Sequence, residues 1–286
     1  MLAIKHILFP IDFSQRCCQA APVVHALASR FGAKITLLSA IPPIWQLGIG
    51  DGAGIPVDME ELRRDLETRL NGTFVREFKG LTVQRIAEVG DPSEVITRFA
   101  HAEGVDLIMM PTHGYGPFRT LLLGSVTAKV LHDAECPVWT ATHTEQISMH
   151  RIAGGNVLCA IDATPQSVPL IKWAAEYAEL TGAQLRLVHA ISGISGWPER
   201  RLDQELEETL KKNARGVIED LQRSIGITAP LFVGVGEVAD VVRAEAEGHD
   251  SDLILIGRGI LHETMGRLRT HSYGIIRHAP CPVLSV

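Results

Sequence analysis

The sequence has no excess of positive charge. Its 33 acidic and 27 basic residues give a formal net charge of −6, which excludes an overall basic footprint for nucleic acid or anionic lipid. No apolar run reaches membrane-spanning length, and the start, MLAIKHILFPID, enters a strand pattern directly, without a charged, apolar and cleavable leader. A cytoplasmic protein is expected. Cysteine is scarce, with five residues and no C-x-x-C pair, so the cysteines read as small buried hydrophobes in a reducing compartment. Cys17 and Cys18 are adjacent, and adjacent residues on a helix point in different directions, which argues against a redox pair. The chain also lacks G-x-x-x-x-G-K-S/T, H-E-x-x-H and G-x-S-x-G, so conventional phosphate-loop, zinc-peptidase and serine-hydrolase chemistry has no support.

What the sequence does contain is a repeat. The segment ILFPIDFSQRCCQAAPVVHALASRFGAKITLLSAI from Ile7 is answered by VLCAIDATPQSVPLIKWAAEYAELTGAQLRLVHAI from Val157. Asp12 to Ile41 matches Asp162 to Ile191 without a gap, aligning Asp12 with Asp162, Ser14 with Thr164, Ala28 with Ala178, Gly32 with Gly182, and Ile41 with Ile191. Further along, Asp106 pairs with Asp252, and the CPV at Cys136 with the CPV at Cys281. Each half is therefore a complete copy, and two tandem domains are expected, residues 1–145 and 155–286, joined by a linker over residues 144–156.

Within the first copy, apolar runs at His6–Ile11 and Ile35–Ala40 read as strands flanking a helix with Ala20, Val23, Val24, Leu27 and Ala28 on one side, stopped by Gly32. Strand, helix and strand in alternation predict an α/β fold, a doubly wound parallel sheet in each copy, with ligands beyond the carboxyl ends of the strands. Asp12, Ile41 and Met110 share that edge. Asp12 suits ribose hydroxyls or a water-bridged metal, and with Ser14 it equally suits a helix cap. Residues 42–57, PPIWQLGIGDGAGIPV, read either as a lid or as a cover on the side of a domain. A charged helix with Leu62, Leu66 and Leu70 on one seam is expected over Asp58–Phe78, a strand over Val83–Val89, and a helix from Pro92 and Ser93. Asn71-Gly72-Thr73 fits a glycosylation acceptor that has no meaning without secretion.

The most informative stretch is DLIMMPTHGYGPFRTLLLGSVTAKVLHDAECPVW, from Asp106 to Trp139. Leu107 to Met110 is too short for a helix and suits a strand buried on both faces. Gly114, Gly116 and Pro117 then turn the chain, and a helix begins at Ser125 after Gly124. Such a helix directs unpaired amides and the positive end of its dipole at the glycine loop, which favours an anion such as phosphate. His113 and Arg119 are the polar side chains within reach. The alternative is a short structural connection, with His113, Arg119 and Lys129 as ordinary surface residues.

The pattern resembles the signature of nucleotide-binding universal stress proteins, G-x2-G-x9-G-S/T, with Gly114, nine intervening residues, then Gly124 and Ser125. THG, LLLGSVT and CPV are similar to that family as well, and Pro111 departs from it by standing where the first glycine is expected. Proline has no amide hydrogen, so one ligand contact is absent there. The resemblance implies a tandem universal stress protein. It implies ATP or a related adenine nucleotide, with or without magnesium, at Asp12, Ile41, Met110, Pro111, His113, Gly114, Gly124, Ser125, Val126 and Thr127. Asp12 would meet ribose, Ile41 would line the adenine pocket, and Gly114, Gly124, Ser125 and Val126 would surround the phosphates. It also implies a role as stress-response sensor or regulator, pairing of domain 1 with domain 2, and a possible homodimer. With no phosphate-loop lysine, at most slow ATP hydrolysis is expected. The alternative is a nucleotide-free interaction scaffold of the same fold. In the second copy Asp162 is retained, but Gly257 stands at the first glycine position, Ile260 at the second, Arg269 in place of Gly124 and Thr270 in place of Ser125. A long side chain where backbone should approach phosphate means a closed site or a changed ligand there, and Arg258, Arg267 and Arg269 read as anion contacts or as surface salt bridges.

Overall fold

The computed structural model describes residues 2–42, 58–113, 123–141, 155–192, 204–258 and 270–286. The chain falls into two compact units, Ala3–Trp139 and chiefly Thr140–Val286. In the first, strands β1 (His6–Pro10), β2 (Lys34–Ile41), β3 (Val83–Val89), β4 (Leu107–Pro111) and β5 (Val138–Ala141) alternate with helices α1 (Gln15–Phe31), α2 (Met59–Gly72), α3 (Pro92–Ala102) and α4 (Ser125–Asp133). The strand order is β3-β2-β1-β4-β5, and β1 runs parallel to both β2 and β4. Every residue of β1 and β4 is buried, as expected for central strands covered by helices on both faces.

The second unit repeats the plan. Its strands are β6 (Asn156–Ala160), β7 (Gln184–Ile191), β8 (Leu231–Val235), β9 (Leu253–Ile256) and β10 (Val283–Ser285), in the order β10-β9-β6-β7-β8. Helices α5 (Val168–Thr181), α6 (Gln204–Ser224), α7 (Val238–Gly248) and α8 (Thr270–His278) alternate with them. β6 starts at Asn156, one residue before the expected Val157, and residues 144–154 of the expected linker lie outside the described residues. The Asn156 amide donates to Asp252 at 2.8 Å, which begins the pairing one position early.

The repeated residues have local reasons. α1 starts because Ser14 accepts from the Cys17 amide, and it buries Cys17, Ala20, Ala21, Val23, Val24, Leu27 and Ala28. It stops at Gly32, whose φ of 63° lies in the left-handed region, and the Ala33 amide then reaches back to the Ala28 carbonyl at 2.9 Å. Gly182 repeats this at φ 71°, with the Ala183 amide on the Ala178 carbonyl at 2.9 Å. The Ala28/Ala178, Gly32/Gly182 and Ala33/Ala183 matches are thus one helix stop used twice. Asp106 and Asp252 are likewise one device: Asp106 accepts from the amides of Lys5 and His6 at 2.8 and 2.9 Å, just as Asp252 accepts from Asn156. Both lie at the amino ends of their strands, the opposite end from the one that leads into the glycine loop.

The first core is aromatic on one side. Phe9 lies 5.9 Å from Phe74 and 6.4 Å from Phe78, centroid to centroid, and burying a ring of this size contributes about 2–3 kcal/mol. Those two rings come from turns rather than from helix. The expected helix over Asp58–Phe78 ends at Gly72, because Asn71 and Gly72 are poor helix formers and Phe74 adopts a left-handed φ of 54°. Leu70 is buried as expected of a seam, whereas Leu62 and Leu66 are only partly covered. α3 begins as the sequence indicates, with Pro92 in its first turn and Asp91 accepting from the amides of Ser93 and Glu94.

Candidate functional site

In the first unit β1 leads to β2 and β3 on one side, while β4 lies on the other side of β1. The chain therefore reverses its winding between β1 and β4, and a crevice at such a switch point, outside the carboxyl ends of the strands, is where open α/β sheets bind ligands. Asp12 follows β1, Ile41 ends β2, Pro111 ends β4, and α4 begins after the glycine loop that leaves β4. Four of the expected site positions thus meet at one edge. Gly114, Gly116, Pro117 and Arg119 lie outside the described residues, as do the lid segment from residue 43 and, in the second unit, Ile260, Arg267 and Arg269.

The head of α4 is built differently from the other helices of this unit. Ser14, Asp58 and Asp91 cap α1, α2 and α3 with side chains, whereas Gly124 at the head of α4 provides none. The Gly124 amide donates to the Thr112 carbonyl at 2.9 Å, and its own carbonyl accepts from Ala128 at 2.8 Å. Ser125, Val126 and Thr127 supply the first-turn amides that a helix leaves without partners of its own. Ser125 is exposed and Val126 half-buried. A helix head with no side-chain acceptor among the described residues has the electrostatics of an anion site.

Gly124 is required by close approach rather than by its torsions, since its φ is −57°. A Cβ placed there would lie 3.1 Å from the Thr112 carbonyl oxygen and 3.5 Å from the His113 Cα. Thr127 is buried, and its hydroxyl donates to the Pro111 carbonyl at 3.2 Å, tying α4 to the end of β4. Its side chain faces the protein, which leaves its backbone amide as the group that can meet a ligand. Met110 and Pro111 are buried as well, and they form the floor of the edge. His113 is half-buried, with its Nδ1 3.0 Å from the Thr112 hydroxyl. Lys129 is an exposed surface charge, lying 3.7 Å from Asp91.

Asp12 is exposed, yet it is held. Its Oδ1 accepts from the Ser14 amide at 2.9 Å and from the Cys17 thiol at 2.9 Å. The intervening Phe13 has a left-handed φ of 59°, a conformation that is costly for an aromatic residue, and the Arg69 guanidinium lies 3.9 Å from the centre of its ring. Ser14, not Asp12, caps α1. At the end of β2 the Ile41 carbonyl accepts from Gly90 at 2.9 Å, so only the half-buried Ile41 side chain remains to line a pocket. Burial, reinforced by the neighbouring Asp12 charge, pushes the Cys17 thiol up to about 12. Neither the thiol contact nor the strained Phe13 could be anticipated from the sequence; D-F-S signals only that a turn starts. Among the described residues no group of three or more His, Cys, Asp or Glu is placed to hold a metal.

The family profile of universal stress proteins matches this chain twice, over residues 3–141 and 155–286. The chain belongs to the universal stress protein family. Universal stress protein MJ0577 of Methanocaldococcus jannaschii is 32% identical over 150 residues, covering 47% of this chain and 92% of that protein. A universal stress protein of Thermus aquaticus is 35% identical over 141 residues, covering 47% of this chain and 96% of the relative. Each of these relatives thus corresponds to about half of the present tandem universal stress protein. Over the whole length, the crystal structure of a universal stress protein from Archaeoglobus fulgidus superposes with a TM-score of 0.71 at 22% identity, covering 99% of this chain and 96% of the other, which shows the fold.

The second unit has diverged at the equivalent edge. Asp162 is exposed like Asp12, and the Ile191 carbonyl accepts from Gly236 at 3.1 Å just as Ile41 does from Gly90. Ser167, aligned with Cys17, instead bonds to the backbone of Asp162, accepting from its amide at 3.0 Å and donating to its carbonyl at 2.7 Å. His189 replaces Ser39 as the side chain on the neighbouring strand carbonyl, with its Nδ1 2.9 Å from Ile161.

Proposed function

We propose that the first unit binds ATP or a related adenine nucleotide and that the bound state acts as a stress-response sensor or regulator. The observation that carries this reading is the uncapped head of α4 at the switch point, on the same edge as an oriented carboxylate at Asp12. Phosphates would be met by the amides of Ser125, Val126 and Thr127, with Gly124 allowing backbone approach. Ribose would be met by Asp12 and adenine by the Ile41 side chain, with Met110 and Pro111 beneath. His113 and Gly114 belong to the same set by their place in the motif. Family membership and the kept spacing from Gly114 to Ser125 support the reading. No conventional phosphate-loop lysine is present, so binding rather than turnover is the activity, with at most slow hydrolysis.

Calorimetric titration of the purified full chain with ATP tests the proposal. Saturable binding at millimolar concentration or tighter is expected, and Gly124→Arg should abolish it by filling the approach to the α4 amides. A flat titration would remove the nucleotide reading. A second reading, a nucleotide-free scaffold of the same fold, is favoured by Pro111 in the first copy and by Arg269 in place of a glycine in the second. Nucleotide released on denaturing the purified protein, identified by absorbance and mass, would exclude the scaffold.

A further inference from the structure

The aligned first turns of the two units treat an identical aspartate differently. In the first unit both hydrogen bonds to Asp12 end on Oδ1: one from the Ser14 amide, which closes a turn within three residues, and one from the Cys17 thiol, which reaches back from the first turn of α1. Among the described residues nothing else bonds to this side chain, so Oδ2 is left as the accepting oxygen. The thiol lies 2.9 Å from Asp12 Oδ1 and 3.8 Å from the Pro10 carbonyl, and with a single hydrogen to give, it gives it to the carboxylate. In the second unit Ser167 occupies the Cys17 position, and its hydroxyl bonds to the Asp162 backbone instead. The carboxylate is therefore steadied in the unit that keeps the glycine motif. In the unit that has lost the motif, the aligned side chain does not hold it.

An exposed carboxylate with free side-chain torsions must be ordered when a ligand binds, and that ordering weakens affinity. We propose that Cys17 is a positioning residue for nucleotide binding in the first unit: its thiol fixes Asp12 so that Oδ2 meets a ribose hydroxyl. This rests on the nucleotide reading above. The left-handed Phe13 serves the same end, since it forms the turn that brings the Ser14 amide onto the same oxygen. Cys17 is buried, and its raised thiol pKa keeps the proton on sulfur at physiological pH, so the donor is always present. No bond is made or broken. The group acts only by orientation.

The test pairs protein variants with ligand variants. Calorimetric titrations of the full chain with ATP and with 2′,3′-dideoxy-ATP are made for the native protein, Cys17→Ala and Cys17→Ser, with thermal melting to follow stability. Cys17→Ala should bind ATP about three- to tenfold more weakly, the range set by ordering one side chain. It should bind the dideoxy nucleotide as the native protein does, because there is no hydroxyl for Asp12 to meet. Cys17→Ser, whose hydroxyl should turn to the Asp12 backbone as Ser167 does at Asp162, should weaken ATP binding by the same factor and again leave the dideoxy nucleotide unaffected. Equal weakening toward both nucleotides would mean that Cys17 only packs α1, and would overturn the proposal, as would full ATP affinity in Cys17→Ala. If the native protein binds neither nucleotide, the underlying function fails instead, and the two failures are distinguished by that one control.

Discussion

Replacing Gly124 with alanine adds one methyl group to the residue on which the site depends most. In an exposed helix such a change is stabilising, because glycine has more freedom to lose on folding, and the gain is about 0.4–1 kcal/mol. At Gly124 the added Cβ would stand 3.1 Å from the Thr112 carbonyl oxygen, a few tenths of an ångström inside ordinary contact. That oxygen is backbone, it belongs to a buried residue, and it already accepts from the Gly124 amide at 2.9 Å. It can retreat only by lengthening the hydrogen bond that seats α4. Overpacking of this kind costs about 1–3 kcal/mol, so after the unfolded-state gain a net loss of about 1 kcal/mol is expected. With a urea dependence of about 1–3 kcal/mol/M, the unfolding midpoint of the first unit should fall by roughly 0.3–1 M. The control is Gly216→Ala within α6, where nothing lies within 4 Å of the added Cβ. That variant should gain about 0.5–1 kcal/mol. ATP affinity should fall with Gly124→Ala and stay unchanged with Gly216→Ala. If Gly124→Ala were as stable as Gly216→Ala, the close approach described for the head of α4 would be wrong.

Three further outcomes are expected. His6 is buried, with its Nε2 2.9 Å from the Thr36 hydroxyl, and burial, together with nearby Lys34, lowers its pKa below the ordinary 6.5. A depressed folded value means that the unfolded chain takes up the proton first. This contribution is therefore full above about pH 6.5 and is lost as the pH falls from there toward the folded value, and urea midpoints at pH 7.5 and 5 should show a drop that His6→Gln reduces. Iodoacetamide mapping at pH 8 should label exposed Cys18 first and leave Cys17 untouched, since burial and the adjacent Asp12 charge keep its thiol protonated; early labelling of Cys17 would show that the start of α1 opens. Asp91→Ala should destabilise the first unit by about 1 kcal/mol in urea unfolding, because Asp91 accepts from the amides of Ser93 and Glu94 at the head of α3.

Much of this architecture was legible because it rests on local rules. Helix α4 begins at Ser125, β3 spans Val83–Val89 and α3 opens at Pro92 as the sequence indicates, each with a glycine, proline or cap at its border. The repeat was legible because a left-handed helix stop at Gly32 and Gly182 and a strand-end carboxylate at Asp106 and Asp252 admit few substitutes. What failed to show was non-local or torsional. The end of α2 depends on Phe74 turning left-handed to stack on Phe9, a ring sixty-five positions away in sequence. Thr127 was expected among the ligand contacts, and that its hydroxyl bonds to Pro111 could not be read from the sequence, because the register of α4 against β4 decides which way a helical side chain points. Cys17 drew notice as one of two adjacent cysteines, and its bond to Asp12 needs the backbone bend at Phe13 that no composition reveals.

The aspartates at the amino ends of β4 and β9 clasp the start of each sheet, while the candidate site residues Asp12, Ile41, Pro111 and Ser125 lie at the opposite rim. Cohesion and recognition therefore draw on separate sets of side chains. A duplicated chain can rewrite one rim, trading Cys17 for Ser167 and Ser39 for His189, without loosening the clasp that keeps the strands in register. The two halves can therefore differ at that rim while sharing the same clasp.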